Sequence, residues 1–284
     1  MKYSLCLSVS PTQFDAIPLE GDFAKNVKKV AELGFDGVEL AIRDPLLIDK
    51  EKILRELNQY GLVVPAIGTG QAWGEEGLSF TDPDPQVRKK AVYRVISHFD
   101  FAAETGAVII IGLLRGVANV DVSAKDANQW IFEAFSHCCE EAQKQNVRIA
   151  FEPINRYETS FINCVRDGLS LIEKVGAPNL GMVLDTFHMN IEEPCIAESI
   201  KLAASKMFHL HYADSNRMYP GAGHIDFKSV IKAAQDIGYT GYFSGEHRSD
   251  SYGATAAANG LNFLRKIEKE MEKGNCKIEN RLFV

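Results

Sequence analysis

Short apolar runs rich in β-branched residues alternate along the chain with longer runs whose apolar positions recur at helical spacing. The short runs are Tyr3–Ser8, Gly37–Ala41, Val63–Ile67, Val108–Gly112, Val147–Glu152, Gly181–Asp185, Phe208–Tyr212 and Tyr242–Glu246. Near-continuous apolar character over a few residues predicts parallel strands covered on both faces. The longer runs predict helices over Phe23–Leu33, Lys50–Gln59, Pro85–Thr105, Ser123–Gln145, Arg166–Val175 and Phe227–Ile237. Gly34, Gly61, Gly106, Gly176 and Gly238 stand just past helical runs, where a left-handed residue ends a helix.

Strand and helix repeated about eight times without a break in composition predict a parallel sheet closed into a (β/α)8 TIM barrel. An open doubly wound sheet normally shows a glycine-rich nucleotide loop after its first strand. Here that strand leads into Ser8-Val9-Ser10-Pro11. The expected organisation is one α/β domain over residues 1–284, with a polar C-terminal tail from about Glu268 that ends in Arg-Leu-Phe-Val.

In such a barrel the functional site lies at the C-terminal ends of the strands. Strand five ends at Glu152, strand six at Asp185, strand seven near His211 and strand eight at Glu246. Adjacent strands are about 4.8 Å apart, so these side chains can converge on one ion. Three carboxylates and an imidazole suit Mn²⁺, Co²⁺ or Mg²⁺, and are too oxygen-rich for a structural zinc site. Three carboxylates this close would otherwise repel, and one would hold a proton.

Several other residues sit near the same rim. Arg115, after strand four, is expected to grip a substrate carboxylate or phosphate. Trp73, after strand three, is expected to stack on a sugar. His188 follows Asp185 by three residues and is expected to face the pocket. His209 shares a barrel face with His211 and is read as a layer-filling or supporting residue. Asp214 is read either as orienting His211 or as a turn residue. Asp226 is expected to cap the next helix, with His224 in the turn before it. Gly221, Gly223 and Gly253 are weaker candidates for a phosphate cradle.

Composition narrows the field. Net charge is −7 and the sequence pI about 5.6, which argues against a nucleic-acid footprint. The six cysteines, Cys6, Cys138, Cys139, Cys164, Cys195 and Cys276, show no CxxC spacing and are expected as reduced thiols in a cytoplasmic protein. No apolar stretch approaches the ~18 residues of a membrane span, and the first residues do not form a signal peptide.

The runs Glu152-Pro153-Ile154-Asn155-Arg156-Tyr157-Glu158, Leu184-Asp185-Thr186-Phe187-His188-Met189, His211-Tyr212-Ala213-Asp214-Ser215-Asn216-Arg217 and Gly245-Glu246 resemble the ketose 3-epimerases of the D-tagatose 3-epimerase type. These belong to the wider xylose-isomerase-like barrels, and the resemblance covers nearly the whole chain. It implies metal ligation by Glu152, Asp185, His211 and Glu246, with Mn²⁺ favoured. It implies acid/base roles for Glu152 and Glu246, one on each face of the substrate. Glu158, His188 and Arg217 would hold the hydroxyl and carbonyl oxygens of the sugar.

Gly68-Thr69-Gly70-Gln71, Asn155-Arg156-Tyr157-Glu158-Thr159 and Phe187-His188-Met189-Asn190-Ile191-Glu192-Glu193 look similar to a branch acting on 5-keto-L-gluconate. The expected reaction is deprotonation next to a carbonyl, a metal-stabilised enediolate, and reprotonation on the other face. Alternatives that share the rim are an aldose–ketose or hydroxypyruvate isomerase, a ketose-phosphate epimerase and an inosose-type dehydratase. More remote are a metal-dependent endonuclease and a non-catalytic binding protein. The expected partners are a small sugar or sugar acid and further copies of the chain in a homo-oligomer, with no nucleic acid and no membrane.

Overall fold

The computed structural model describes residues 1–248 and 253–279, with side chains through residue 273. Eight parallel strands close into a barrel in chain order: β1 (Lys2–Ser8), β2 (Gly37–Ala41), β3 (Ala66–Gly68), β4 (Val108–Ile111), β5 (Arg148–Phe151), β6 (Leu180–Asp185), β7 (Met207–Tyr212) and β8 (Tyr242–Gly245). The predicted strand three begins three residues late, because Pro65 has no N–H for the ladder; Val63 makes only an isolated bridge to Gly37.

The helices outside the barrel are α1 (Phe23–Leu33), α2 (Lys50–Asn58), α3 (Gln71–Glu76), α4 (Pro85–Ile96), α5 (Phe99–Thr105), α6 (Ala124–Gln143), α7 (Val165–Val175), α8 (Thr186–Glu192), α9 (Ile196–Ala203), α10 (Phe227–Asp236) and α11 (Gly253–Glu279). Side-chain caps from Asp22, Asp49, Asp84, Ser123, Asp185 and Asp226 open six of them, taking amide hydrogens that the first turn leaves unpaired. The run predicted as one helix over Pro85–Thr105 is two. Ser97 turns its hydroxyl back onto the Arg94 carbonyl, and the chain bends at His98. Helix α11 runs past Glu268, whose carboxylate binds the Met1 amine at 2.7 Å and ties the helix to β1. Residues 281–284, with the predicted Arg-Leu-Phe-Val end, lie outside the described residues, as does the Cys276 side chain.

Alternation along the strands divides the buried apolar residues among three clusters, the smallest of them Cys6, Ile17 and Ala41. Leu5, Leu7, Val38, Leu40, Ile109, Ile111, Ile149, Phe151, Leu184, Leu210 and Phe243 join the large core beneath the helices. Ala66, Val108, Ile110, Ala150 and Val183 form a smaller cluster of their own. Small side chains in that inner cluster leave room for the polar residues that β2 and β7 send into it.

Candidate active site

Every strand from β5 to β8 brings a polar side chain to the C-terminal rim. One donor atom each from Glu152, Asp185, His211 and Glu246 lies within 4.8 Å of every other. His211 Nδ1 stands 3.4 Å from Glu152 Oε1 and 3.5 Å from Glu246 Oε2. Glu152, His211 and Glu246 line a cleft whose walls also include Phe14, Gln71, Leu113, Glu158, His188 and Arg217.

Local structure aims each donor. Asp185 caps α8: Oδ1 accepts the Phe187 amide at 2.7 Å, and Oδ2 is left buried without a partner. Glu152 follows β5, and its backbone amide donates to Ile111 at 3.1 Å. Its carboxylate occupies space that exists only because residue 112 is glycine; a Cβ there would fall 2.5 Å from Glu152 Oε2. His211 Nε2 faces both oxygens of Glu39 at 3.0 and 3.1 Å, which leaves Nδ1 toward the cluster.

Glu152 Oε1, Asp185 Oδ2 and His211 Nδ1 are all buried without hydrogen-bond partners. Orphaned polar atoms of this kind are costly, and a shared cation would satisfy all of them at once. The donor set therefore fits a divalent metal. Charge regulation agrees. Burial, with Glu246 beside it, raises the Glu152 carboxyl, and burial raises Asp185 far above the usual carboxylate range. Burial opposes a positive charge on His211, but Glu39 and Glu246 outweigh it and raise the imidazole. Positive charge is favoured where the carboxylates meet.

Glu158, His188 and Arg217 form one wall. Asn155 Nδ2 lies 2.9 Å from Glu158 Oε1 and 2.8 Å from His188 Nδ1. With Asn155 donating, the proton on His188 sits at Nε2, within 4.0 Å of Glu152 and 3.9 Å of Asp185. Burial and the Arg217 charge hold this imidazole well below its usual range, so it is a neutral donor. Arg217 donates to Glu158 at 3.0 Å and lies over the Phe187 ring at 5.0 Å. Its backbone holds φ 61°, a left-handed strain that side chains rarely adopt. Its buried Nε has no partner.

Two expected contacts fail. Arg115 is fully buried, not at the rim. A 3-10 turn over Leu113–Arg115 tucks it under β5, where it donates to the carbonyls of Phe161, Gly112 and Glu152 at 3.1, 3.0 and 2.7 Å. Its guanidinium also lies over the Phe151 ring, so none of it reaches the cleft. Trp73 does not line the cleft either. Residues Gln71–Glu76 form α3, which turns Gln71 toward the cleft, bonded to Ser8 Oγ at 2.8 Å, and packs Trp73 against the core.

Asp214 belongs to a turn, accepting from the amides of Ser215, Gly221 and Ile225. His224 bonds Ser215 in the same turn. Glu39 passed unnoticed in the sequence. Its signal was a carboxylate in the middle of a buried run, two residues from inward-facing Ala41.

The sequence matches the xylose isomerase-like TIM barrel family over residues 27–267. The chain belongs to that family. It is 31% identical over 253 residues to a ketose 3-epimerase of Arthrobacter globiformis, covering 87% of this chain and 85% of the relative. It is 31% identical over 229 residues to a D-psicose 3-epimerase of Ruminiclostridium cellulolyticum, covering 78% and 77%. A solved 3-keto-D-glucoside 4-epimerase from E. coli superposes with a TM-score of 0.81 at 22% identity, covering 94% of this chain and 99% of that one; this likeness is one of fold. Within the family the chain groups with the ketose and keto-sugar epimerases, and it is an enzyme of that kind. Among the described residues of this epimerase, no helix is long and apolar enough to cross a membrane.

Proposed function

We propose that the enzyme inverts the carbon next to the carbonyl of an uncharged ketose, with Glu152 and Glu246 as the two proton carriers. The observation that carries this reading is their placement: carboxylates from β5 and β8 flank His211 Nδ1 at 3.4 and 3.5 Å on the floor of one cleft. One carboxylate takes the proton of the broken C–H bond. The electron pair moves into the carbonyl, leaving an enediolate. The other carboxyl returns a proton to the opposite face. No atoms are gained or lost.

A divalent ion held by Glu152, Asp185, His211 and Glu246 would supply Lewis-acid neutralisation of the developing charge; Mn²⁺, Co²⁺ and Mg²⁺ all suit the donors. Burial, with Glu246 beside it, raises the Glu152 carboxyl and so favours a proton there, as a general acid needs. His188 Nε2–H and Arg217 would donate to the substrate oxygens, with Glu158 accepting from a hydroxyl. The 3-epimerase names of the relatives support C3 as the inverted carbon.

The keto-sugar acid suggested by the sequence loses its physical motive with Arg115 buried. Arg217, the arginine that lines the cleft, is already paired with Glu158. An added carboxylate or phosphate would therefore meet Glu152, Glu158 and Glu246 across the cleft from an arginine whose charge Glu158 already balances.

The test is proton exchange in ²H₂O, followed by NMR, on Mn²⁺-loaded enzyme with neutral ketoses, ketose phosphates and keto-sugar acids. The expected result is deuterium at C3 of a neutral ketose, appearance of its epimer, and loss of both on chelation. Glu152→Gln and Glu246→Gln should each lower the rate by about 10²–10⁴. Exchange with the acids or phosphates alone would overturn the neutral-substrate reading. Exchange that yields an aldose would favour an isomerase. No exchange with any member would remove both.

A further inference from the structure

Glu39 is 1% exposed in the barrel interior, on β2. Its neighbours along the sheet are β1 and β3, yet its carboxylate reaches across to β7. Both oxygens face His211 Nε2, at 3.0 and 3.1 Å, and Oε2 also faces His209 Nε2 at 2.8 Å. The other side chains of that interior include Ala66, Val108, Ile110, Ala150 and Val183, all apolar. A carboxylate in such surroundings costs several kcal/mol unless it is fully bonded, and well-packed apolar residues serve stability as well. What it contacts is the ring nitrogen opposite the one that faces Glu152 and Glu246.

We propose that Glu39, braced by His209, is a positioning residue that fixes the ring of His211 and sets the affinity of the rim cluster for a divalent ion. The inference rests on the metal reading of that cluster. Glu39 accepts the Nε2 proton, so the Nδ1 lone pair is presented to the cluster. Its negative charge makes the imidazole a stronger donor. His209 completes the brace from two residues away on the same strand. Its ring meets that of His211 edge-on, with centroids 5.4 Å apart and planes at 89°, so the His211 ring cannot swing aside without displacing it.

The experiment measures Mn²⁺ dissociation constants on the full chain by calorimetry with a competing chelator. It also records the visible absorption of the Co²⁺-loaded protein, which reports ligand geometry. Glu39→Gln should weaken Mn²⁺ about 10–100-fold and shift the Co²⁺ bands. Glu39→Asp, with the charge retained on a shorter arm, should fall between it and the natural protein. His209→Asn leaves the Glu39–His211 contact in place and should cost a smaller factor; it carries the test if Glu39→Gln does not fold by circular dichroism. A folded Glu39→Gln protein with unchanged affinity and spectrum would overturn the proposal while leaving the metal site intact. A natural protein that binds neither ion would instead overturn the metal reading itself.

Discussion

Where β5 to β8 reach the rim they deliver Glu152, Asp185, His211 and Glu246; where β1 to β4 reach it they deliver Ser8, Ala41, Gly68 and Gly112. One half of the barrel supplies charge and the other supplies space. The division has a physical basis. A ligand cluster needs side chains that converge, and a substrate needs a wall that does not intrude. The first half achieves that with residues that have little or no side chain. Glu39 is the exception, and it lies deep in the barrel, where it braces His211 from beneath.

The seam between the halves, at β4 and β5, is where the comparison breaks most easily. Arg115 comes from the spacious half and holds the Glu152 carbonyl of the charged half at 2.7 Å. Arg115→Met would strand several buried carbonyls. At about 1–3 kcal/mol for each unsatisfied group, a loss on the order of 4 kcal/mol is expected in urea unfolding. The ratio of KM values for a keto-sugar acid and a neutral ketose should stay the same. A selective rise in KM for the acid would restore Arg115 to the substrate.

Gly112→Ala tests the space itself. The new Cβ would lie 2.5 Å from Glu152 Oε2 and 3.2 Å from Ile154 Cδ1, so the carboxylate must move. Displacing a reacting group by about 1 Å can cost about 10²-fold, so kcat should fall by that order. KM and melting temperature should change far less. An unaltered kcat would mean that Glu152 reacts from a position the glycine does not control.

The charged half was legible in the sequence because each of its four clustered side chains stands at or near the C-terminal end of a short, largely apolar run. Strand ends are visible in such runs, and barrel topology does the rest. The spacious half was harder to read. A residue just past a strand end can turn either way, and the Leu113–Arg115 turn sent Arg115 inward under β5 rather than up to the rim. Trp73 was misread for a related reason. Three residues in sequence look like a loop, but as part of α3 they divide between cleft and core. Helices α8 and α9 escaped because each is short and Pro194 separates them, leaving too few turns for a periodic signal.

Acid acts on the fold through a buried histidine on the side of the spacious half. His98, between α4 and α5, is buried with both ring nitrogens unpartnered. Burial, helped by Arg94 and Lys50, lowers its pKa to about 3. In the unfolded chain it titrates near 6.5. Between those values the unfolded state binds one proton that the folded state refuses, so stability rises with pH across the window and is lost as pH falls through it. The contribution is about 1.4 kcal/mol per pH unit below 6.5.

His98→Leu should remove one proton from the pH dependence of unfolding between pH 6.5 and 4. Measurements with chelator present keep the rim cluster from adding a metal-linked slope. His247, lowered to about 4 mainly by burial, adds a slope of the same sign that the variant leaves in place. The change on substituting His98 is therefore the quantity to read. If the slope is the same in both proteins, His98 is protonated within the fold, and some opening between α4 and α5 must admit water to its ring.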